Sequence, residues 1–527
     1  MTAWNWQLAR RRLGIPDDGR YNLAGMPLPD ERAFVWCRTN GEVLTLSGNQ
    51  VRSQVAQLAT RLAELGVQAG DRVAGMMGKR PESFTAAMAT WYLGAVYVPL
   101  FTGFSGEGLR VRIEDSDPKV LVCDVANRDA ITDAAGWIPG LIGLVVDEDG
   151  ALFGDVDAPV RDYAPAATHL ENLSTILYTS GTTGKPKGCM MAHDMVVNML
   201  PYLDHHLRMA EGESIFSAAD AGWAFGLITT GVAPLATGHT RVIYEGPFDA
   251  ARWWAVLTRS GAGHFAAAPT AYRQLAAAGA DGIPEIFEKA SSAGEPLDAA
   301  TAQWFTENTG VTIYDSYGLS ELGMLVGNLR SRPDLTPVPG SMGFVFPGWE
   351  VELRDEHNAA VDGPGSGRLA VKAHPHYLAK GYWGRMPEWE ARFVDGWFIT
   401  EDLVRRDAND RLWYESRADD VIVASGMNVG PAEVESALLE HPLVADAGCV
   451  GIPDPVKGAI VTAHVVLSGP APDDLEQQLR YWVGDRVGRH AAPRKVVVWD
   501  ELPRTASGKL RRIELREALA GRADEPL

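Results

Sequence analysis

Cysteine is scarce in this chain. Cys37, Cys123, Cys189 and Cys449 lie far apart, with no CxxC and no Cys/His spacing. That supports neither a disulfide framework nor a zinc site, and it fits a reducing cytosol. Positive charge is also short: 48 Lys and Arg face 68 Asp and Glu, for a formal net charge of −20. Such a balance argues against nonspecific binding to nucleic acid or an anionic membrane, and an anionic substrate must then meet a locally basic site. The longest apolar run, residues 84–101, is broken by Thr85, Thr90, Gly94 and Pro99. It is expected as a helix turning into a buried strand, not as a membrane span. The opening residues carry Trp4, Trp6 and Arg10-Arg11-Arg12 without an apolar core, so no signal peptide is expected and the protein is expected in the cytoplasm. Two nucleotide motifs are missing as well. No GxGxxG follows a strand with an acidic residue about 20 positions on, which leaves a dehydrogenase unsupported, and no Walker-type P-loop is present.

What is there is the makeup of a soluble globular protein, 46% hydrophobic and 22% charged. At 527 residues the chain is too long for one ordinary core. Val51, Val55, Leu58, Leu62 and Leu65 recur at spacings of four and three, predicting a helix closed by Gly66. A strand over 72–77, a helix over 81–91 and a strand over 95–98 follow, and 109–113 with 120–123 repeats the pattern. Helix and strand in alternation predict an α/β fold of layered sheets with crossover helices. From about residue 417 the texture changes to a compact α+β unit, with strands over 421–424, 445–450, 460–467 and 496–499 and helices from 431 and over 473–487. The expected division is a large region over 1–416 and a small mobile one over 417–527.

Between them lies the densest motif, Tyr178-Thr179-Ser180-Gly181-Thr182-Thr183-Gly184-Lys185-Pro186-Lys187-Gly188, with three glycines, four aliphatic hydroxyls and two lysines. Glycines let successive N–H groups turn inward as an anion nest, and hydroxyls and lysines add donors and charge, which suits a polyphosphate. The plainer alternative is a solvated Gly/Thr turn. Only two residues separate Gly181 from Gly184, which is not P-loop spacing. A helix is expected around 195–203, with His193 before it as a cap or a ligand. Asp220-Ala221-Gly222-Trp223-Ala224-Phe225-Gly226 reads as a pocket wall or a core turn. Residues 292–296 and 315–321 are expected as polar turns at strand ends, where α/β folds build their ligand crevice. Glu321, beside a phosphate loop, is a candidate Mg²⁺ ligand. The loop Pro503-Arg504-Thr505-Ala506-Ser507-Gly508-Lys509 presents one lysine, either as plain surface or as a charge for an anionic transition state.

Taken together, YTSGTTGKPKG, SAGEP, YGLSE, WFITED, SRADDVIVASG and PRTASGK resemble, in order and separation, the acyl-adenylate-forming superfamily over residues of about 40 to 515. The pieces ADAGW and SAGEPL look most like acetyl-CoA and medium-chain acyl-CoA synthetases. The resemblance implies an ATP-dependent carboxylate–CoA ligase using ATP, Mg²⁺ and coenzyme A. Its partners are then a small carboxylic acid, ATP and CoA, with no nucleic acid and no integral membrane association. It implies that Thr179, Ser180, Gly181, Thr182, Thr183, Gly184 and Lys187 hold the β- and γ-phosphates. Gly294, Glu295 and Pro296 are to contact adenosine, and Asp315 and Ser316 are to lie along the adenine. Ser320 is to bond the α-phosphate, Glu321 to bind Mg²⁺, and Asp402 and Arg417 to hold the ribose. Asp419 is implied as the hinge, Gly426 as the passage for pantetheine, and Lys509 as the catalytic lysine.

The chain departs from the family pattern at Glu401 and Ser416, where glycines are usual before the ribose Asp and Arg. It departs again at Asn428, where acetyl-CoA synthetases carry an arginine. Gly318 stands where those synthetases carry a tryptophan. An open pocket lined by Trp223, Ala224, Phe225 and Ala293 is therefore expected, with an acid larger than acetate. A ligase that loads a carrier protein and an inactive nucleotide-binding relative are the alternatives.

Overall fold

The computed structural model describes residues 4–146, 163–179, 186–284, 287–418, 420–424, 427–454, 458–505 and 508–520. The helix expected from Val51 to Leu65 runs Gly48–Glu64, opened by a capping box in which Ser47 and Gln50 bond each other's backbone N–H. Such a cap contributes about 1 kcal/mol. Val51, Val55, Leu58 and Leu62 form its buried face, and Gly66 turns the chain at φ +82°. The next helix, Pro81–Tyr92, is buried on almost every side because it lies between two sheets. Phe84 packs on Phe34 of one sheet with ring centroids 5.2 Å apart, and Trp91 Nε1 donates to Ser174 O of the other at 2.9 Å.

The first sheet has nine strands. At its centre Phe34–Cys37, Thr240–Tyr244, Ser214–Ser217, His264–Ala267, Lys289–Ala293 and Ile313–Leu319 run parallel. The second has seven, with Leu173–Thr179, Val96–Leu100, Arg72–Met76, Val120–Asp124 and Ile142–Val146 parallel. Helix–strand alternation in the sequence becomes this pair of parallel-cored layers. Two features lie outside the sequence reading. A strand, Lys187–Ala192, separates the glycine-rich loop from helix Met195–Tyr202 and pairs antiparallel with Leu173–Thr179. A third, antiparallel sheet is built from Val351–Arg354, Gly365–Lys372, Trp397–Arg406, Phe393–Val394 and Leu412–Arg417.

The C-terminal part has its own core, in which Val434, Leu438, Val461, Leu479 and Val483 pack together. Its sheet orders Met427–Val429, Ile422–Ala424, Gly458–Leu467 and Val444–Asp454, with Lys495–Trp499 parallel to Gly458–Leu467. Among the described residues, no helix is long and apolar enough to cross a membrane.

Candidate active site

Both parallel sheets aim the carboxyl ends of their strands at one cavity of about 920 Å³. Lys79, Phe101 and Thr179 reach it from the seven-stranded sheet, and Ala219, Ala293 and Leu319 from the nine-stranded one. Carboxyl strand ends are where open α/β folds bind ligands, since the loops there are free to vary while the strands hold them in place.

Thr179 ends its strand opposite Lys187, so the glycine-rich segment connects two antiparallel strands. Ser180, Gly181, Thr182, Thr183 and Gly184 lie outside the described residues. Lys187 lines the cavity and pairs with Glu388 at 3.0 Å. On the facing wall, Ser320 and Glu321 sit in the turn between Ile313–Leu319 and Gly323–Gly327. The 315–321 motif is therefore mostly strand, and only its last two residues turn. Tyr382 donates to Glu321 Oε1 at 2.8 Å, which orients the carboxylate in the cavity. No group of three or more His, Cys, Asp or Glu that could hold a metal occurs among the described residues. One oriented carboxylate fits Mg²⁺ all the same, because that ion is commonly held by one or two carboxylates plus substrate phosphates.

Gly294 adopts φ +98°, a conformation that favours glycine, and turns the chain out of Lys289–Ala293 into the cavity wall. Glu295 Oε2 accepts from Thr270 at 2.7 Å and Arg273 at 2.9 Å. Pro296 is exposed, and neither it nor Asp315 or Ser316 lines the cavity. Asp315 and Ser316 are buried in their strand, where Ser316 donates to Ser292 O at 2.8 Å. Burial pushes the Asp315 carboxyl up to about 8. Asp402 does line the cavity, and Tyr317 donates to its Oδ2 at 2.5 Å. Burial raises its pKa, while the Tyr317 bond and the cations Arg417 and Lys509 oppose that rise. Arg417 pairs with Glu401, and both line the cavity. Asp419 and Gly426 lie outside the described residues.

Lys509 is exposed on the cavity wall at the end of a tight loop. Its N–H donates to Thr505 Oγ1 at 3.0 Å, and its carbonyl accepts from Thr505 N at 2.6 Å. Gly508 takes φ +90°, as the turn requires.

The apolar wall is formed by Trp223, Ala224, Phe225, Ala293 and Met324. Trp223 is wedged beside Phe101 and Phe104, with ring centroids 5.7 and 5.5 Å away. The 220–226 motif, expected as a pocket wall or a core turn, turns at 221–223, lines the cavity, and passes at Phe225 into a wide helical stretch, Phe225–Val232. Gly318 does not open the pocket in the way its missing side chain suggests. A Cβ there would lie 2.4 Å from Gly323 O and 2.8 Å from Met324 Sδ. The space next to Gly318 in the Cβ direction is thus already taken by a neighbouring strand, and glycine is required by close approach. Sequence reasoning also passed over Tyr317, Tyr382, Arg392, Met324 and Arg504. Tyr317 and Arg504 lie within motifs that were found, while Tyr382 lies in none, and only the fold shows which site residues they bond.

A family model described as AMP-binding enzyme matches residues 25–383, and one described as AMP-binding enzyme C-terminal domain matches residues 433–509. An uncharacterized acyl-CoA ligase of Bacillus subtilis (strain 168) is 31% identical over 509 residues, covering 94% of each chain. An acetyl-coenzyme A synthetase of the same organism is 32% identical over 469 residues, covering 85% of this chain and 81% of its own. The crystal structure of an acyl-CoA synthetase of Brucella canis superposes with a TM-score of 0.75 at 30% identity, covering 98% of both chains. Acyl-CoA synthetases of this family use ATP, Mg²⁺ and CoA. The chain belongs to the AMP-binding enzyme family, among the acyl-CoA ligases that work through an acyl-adenylate.

Proposed function

We propose that this chain activates a carboxylic acid larger than acetate and passes its acyl group to coenzyme A. The observation that carries the reading is the mixed lining of a single cavity. Lys509, Arg417 and Glu321 act electrostatically on Asp402 there, and Trp223, Ala224, Phe225 and Ala293 line the same cavity with apolar surface. A carboxylate is a poor electrophile because oxide is a hopeless leaving group. Joining it to the α-phosphate of ATP, with release of pyrophosphate, makes a mixed anhydride whose leaving group is AMP. Bringing two anions together needs positive charge fixed beforehand. Lys509 supplies it between the carboxylate and the α-phosphate, and the Ser320 hydroxyl donates to that phosphate. Thr179 and Lys187, with the loop they bracket, bind the departing phosphates. Glu321, oriented by Tyr382, would hold Mg²⁺, which supplies further charge neutralisation there. Asp402 and Arg417 bind the ribose, and Gly294 and Glu295 border the adenosine. For the thioester step, rotation of 417–527 about Asp419 withdraws Lys509 and brings Gly426 to the acyl carbon.

The small Ala224 and Ala293 and the flexible Met324 support an acid longer than two carbons. Each further buried methylene contributes about 0.8 kcal/mol. The test is pyrophosphate release over a panel of aliphatic, branched and aryl acids, followed by thioester formation with free CoA or with a carrier protein. The expected result is adenylation favouring acids above acetate and transfer to free CoA. Preference for acetate over every acid of four or more carbons refutes the size reading, and transfer only to a carrier protein refutes the acceptor.

A further inference from the structure

Glu401 stands immediately before Asp402 in strand Trp397–Arg406, with its side chain about half exposed. Its two carboxylate oxygens serve two different arginines. Oε1 accepts from Arg392 Nη1 at 2.5 Å, and Oε2 accepts from Arg417 Nη2. All three side chains line the cavity. The main chain closes the same link: Ala418 N donates to Glu401 O at 2.6 Å, and Asp402 pairs with Arg417 across the two strands. Arg392 is steadied in turn by the Phe398 ring, 5.2 Å from its guanidinium carbon.

An ion pair this exposed adds little to folding. What it does is restrict a long side chain before any ligand arrives. Immobilising an arginine during binding costs affinity, and a partner that has already fixed it removes that cost. Glu401 also places one carboxylate between two like charges, since Arg392 and Arg417 both bond it. A glycine at this position would do neither.

We propose that Glu401 is a positioning residue that holds Arg417 in the orientation in which it meets the ribose hydroxyls of the nucleotide. The proposal rests on the ribose role proposed above for Asp402 and Arg417. The experiment compares ATP, 2′-deoxyATP and 3′-deoxyATP as substrates for the full-length wild type, Glu401→Gly, Glu401→Gln and Arg417→Ala, read as pyrophosphate release, with melting temperatures to verify folding. The wild type should lose on the order of tenfold in kcat/KM with a deoxy nucleotide, as for one hydrogen bond to a charged donor. Glu401→Gly should raise KM for ATP by a similar factor, more than it lowers kcat, and shrink the deoxy penalty. Glu401→Gln keeps one acceptor and should restore part of it. A Glu401→Gly enzyme with undiminished discrimination overturns the proposal, as does an equal loss in kcat for all three nucleotides. A wild type indifferent to the ribose hydroxyls, or Arg417→Ala with full discrimination, instead identifies the ribose assignment itself as the error.

Discussion

Arg504 and Gly508 face each other across the C-terminal loop, with Arg504 Nη1 donating to Gly508 O at 2.7 Å. The same guanidinium is gripped by both oxygens of Asp446, at 2.8 and 2.7 Å, and reaches Thr270 Oγ1 at 3.4 Å. The residue after Gly508 is Lys509. Its backbone is thus held by a fork anchored in the C-terminal sheet and touching the larger domain, while its side chain lines the cavity.

Lys509→Ala should fold normally, since the side chain is exposed. Adenylation should fall by about 10²–10³, as when a charge stabiliser leaves a preorganised site. Thioester formation from added acyl-adenylate should be largely spared. Separate measurement of the two half-reactions decides this, and equal losses would refute the assigned role.

Arg504→Ala should slow adenylation by on the order of tenfold by loosening the loop, and Arg504→Lys should recover little because an ammonium cannot reproduce the fork. In a Lys509→Ala background the same change should cost much less, because residues acting through one group are not additive. Full additivity in the double-mutant cycle would show that Arg504 acts elsewhere.

Gly318→Ala places a Cβ against the Gly323 carbonyl, so it should destabilise by about 1–3 kcal/mol and reduce turnover of all acids alike. Met324→Ala opens the apolar wall instead. It should cost about 2–5 kcal/mol in stability and shift the preference toward bulkier acids. Denaturant melts and kcat/KM across the acid panel check both, and a selective acid shift in Gly318→Ala would contradict the steric account.

Asp315 carries a carboxyl raised to about 8 by burial, so the folded chain keeps a proton at neutral pH that the unfolded chain releases. Stability from this group is complete below the ordinary carboxylate range and is lost as pH rises towards 8, at up to about 1.4 kcal/mol per pH unit. Asp315→Asn removes that term. Its melting temperature should therefore decline less than the wild type's between about pH 5.5 and 7.5. Parallel declines would mean that Asp315 is already ionised in the fold.

Many of the elements, and the family, were legible in the residues themselves. Helix Gly48–Glu64 announces itself by the spacing of Val51, Val55, Leu58 and Leu62, because one face of a helix repeats every 3.6 residues and only a buried face must be apolar. The loop from Tyr178 to Gly188 and the turn at Lys509 stand out because glycine, hydroxyl and lysine together suit a polyphosphate, and Thr179, Lys187 and Lys509 do line one cavity. Strand Lys187–Ala192 was not, since a short buried strand next to a glycine-rich loop carries no period of its own. Direction was hidden too. Pro296, Asp315 and Ser316 belong to conspicuous motifs yet do not line the cavity, whereas Tyr382 does, and Tyr317 and Tyr382 donate to the cavity-lining Asp402 and Glu321. Gly318 shows the reason most plainly. Its missing side chain looks like empty space along the chain, but the strand after the turn brings the Gly323 carbonyl and Met324 into that space. Composition and spacing determine which local structures and reactive groups a chain can offer. Which of them meet is decided by contacts between residues far apart in sequence, and those exist only once the sheets have packed.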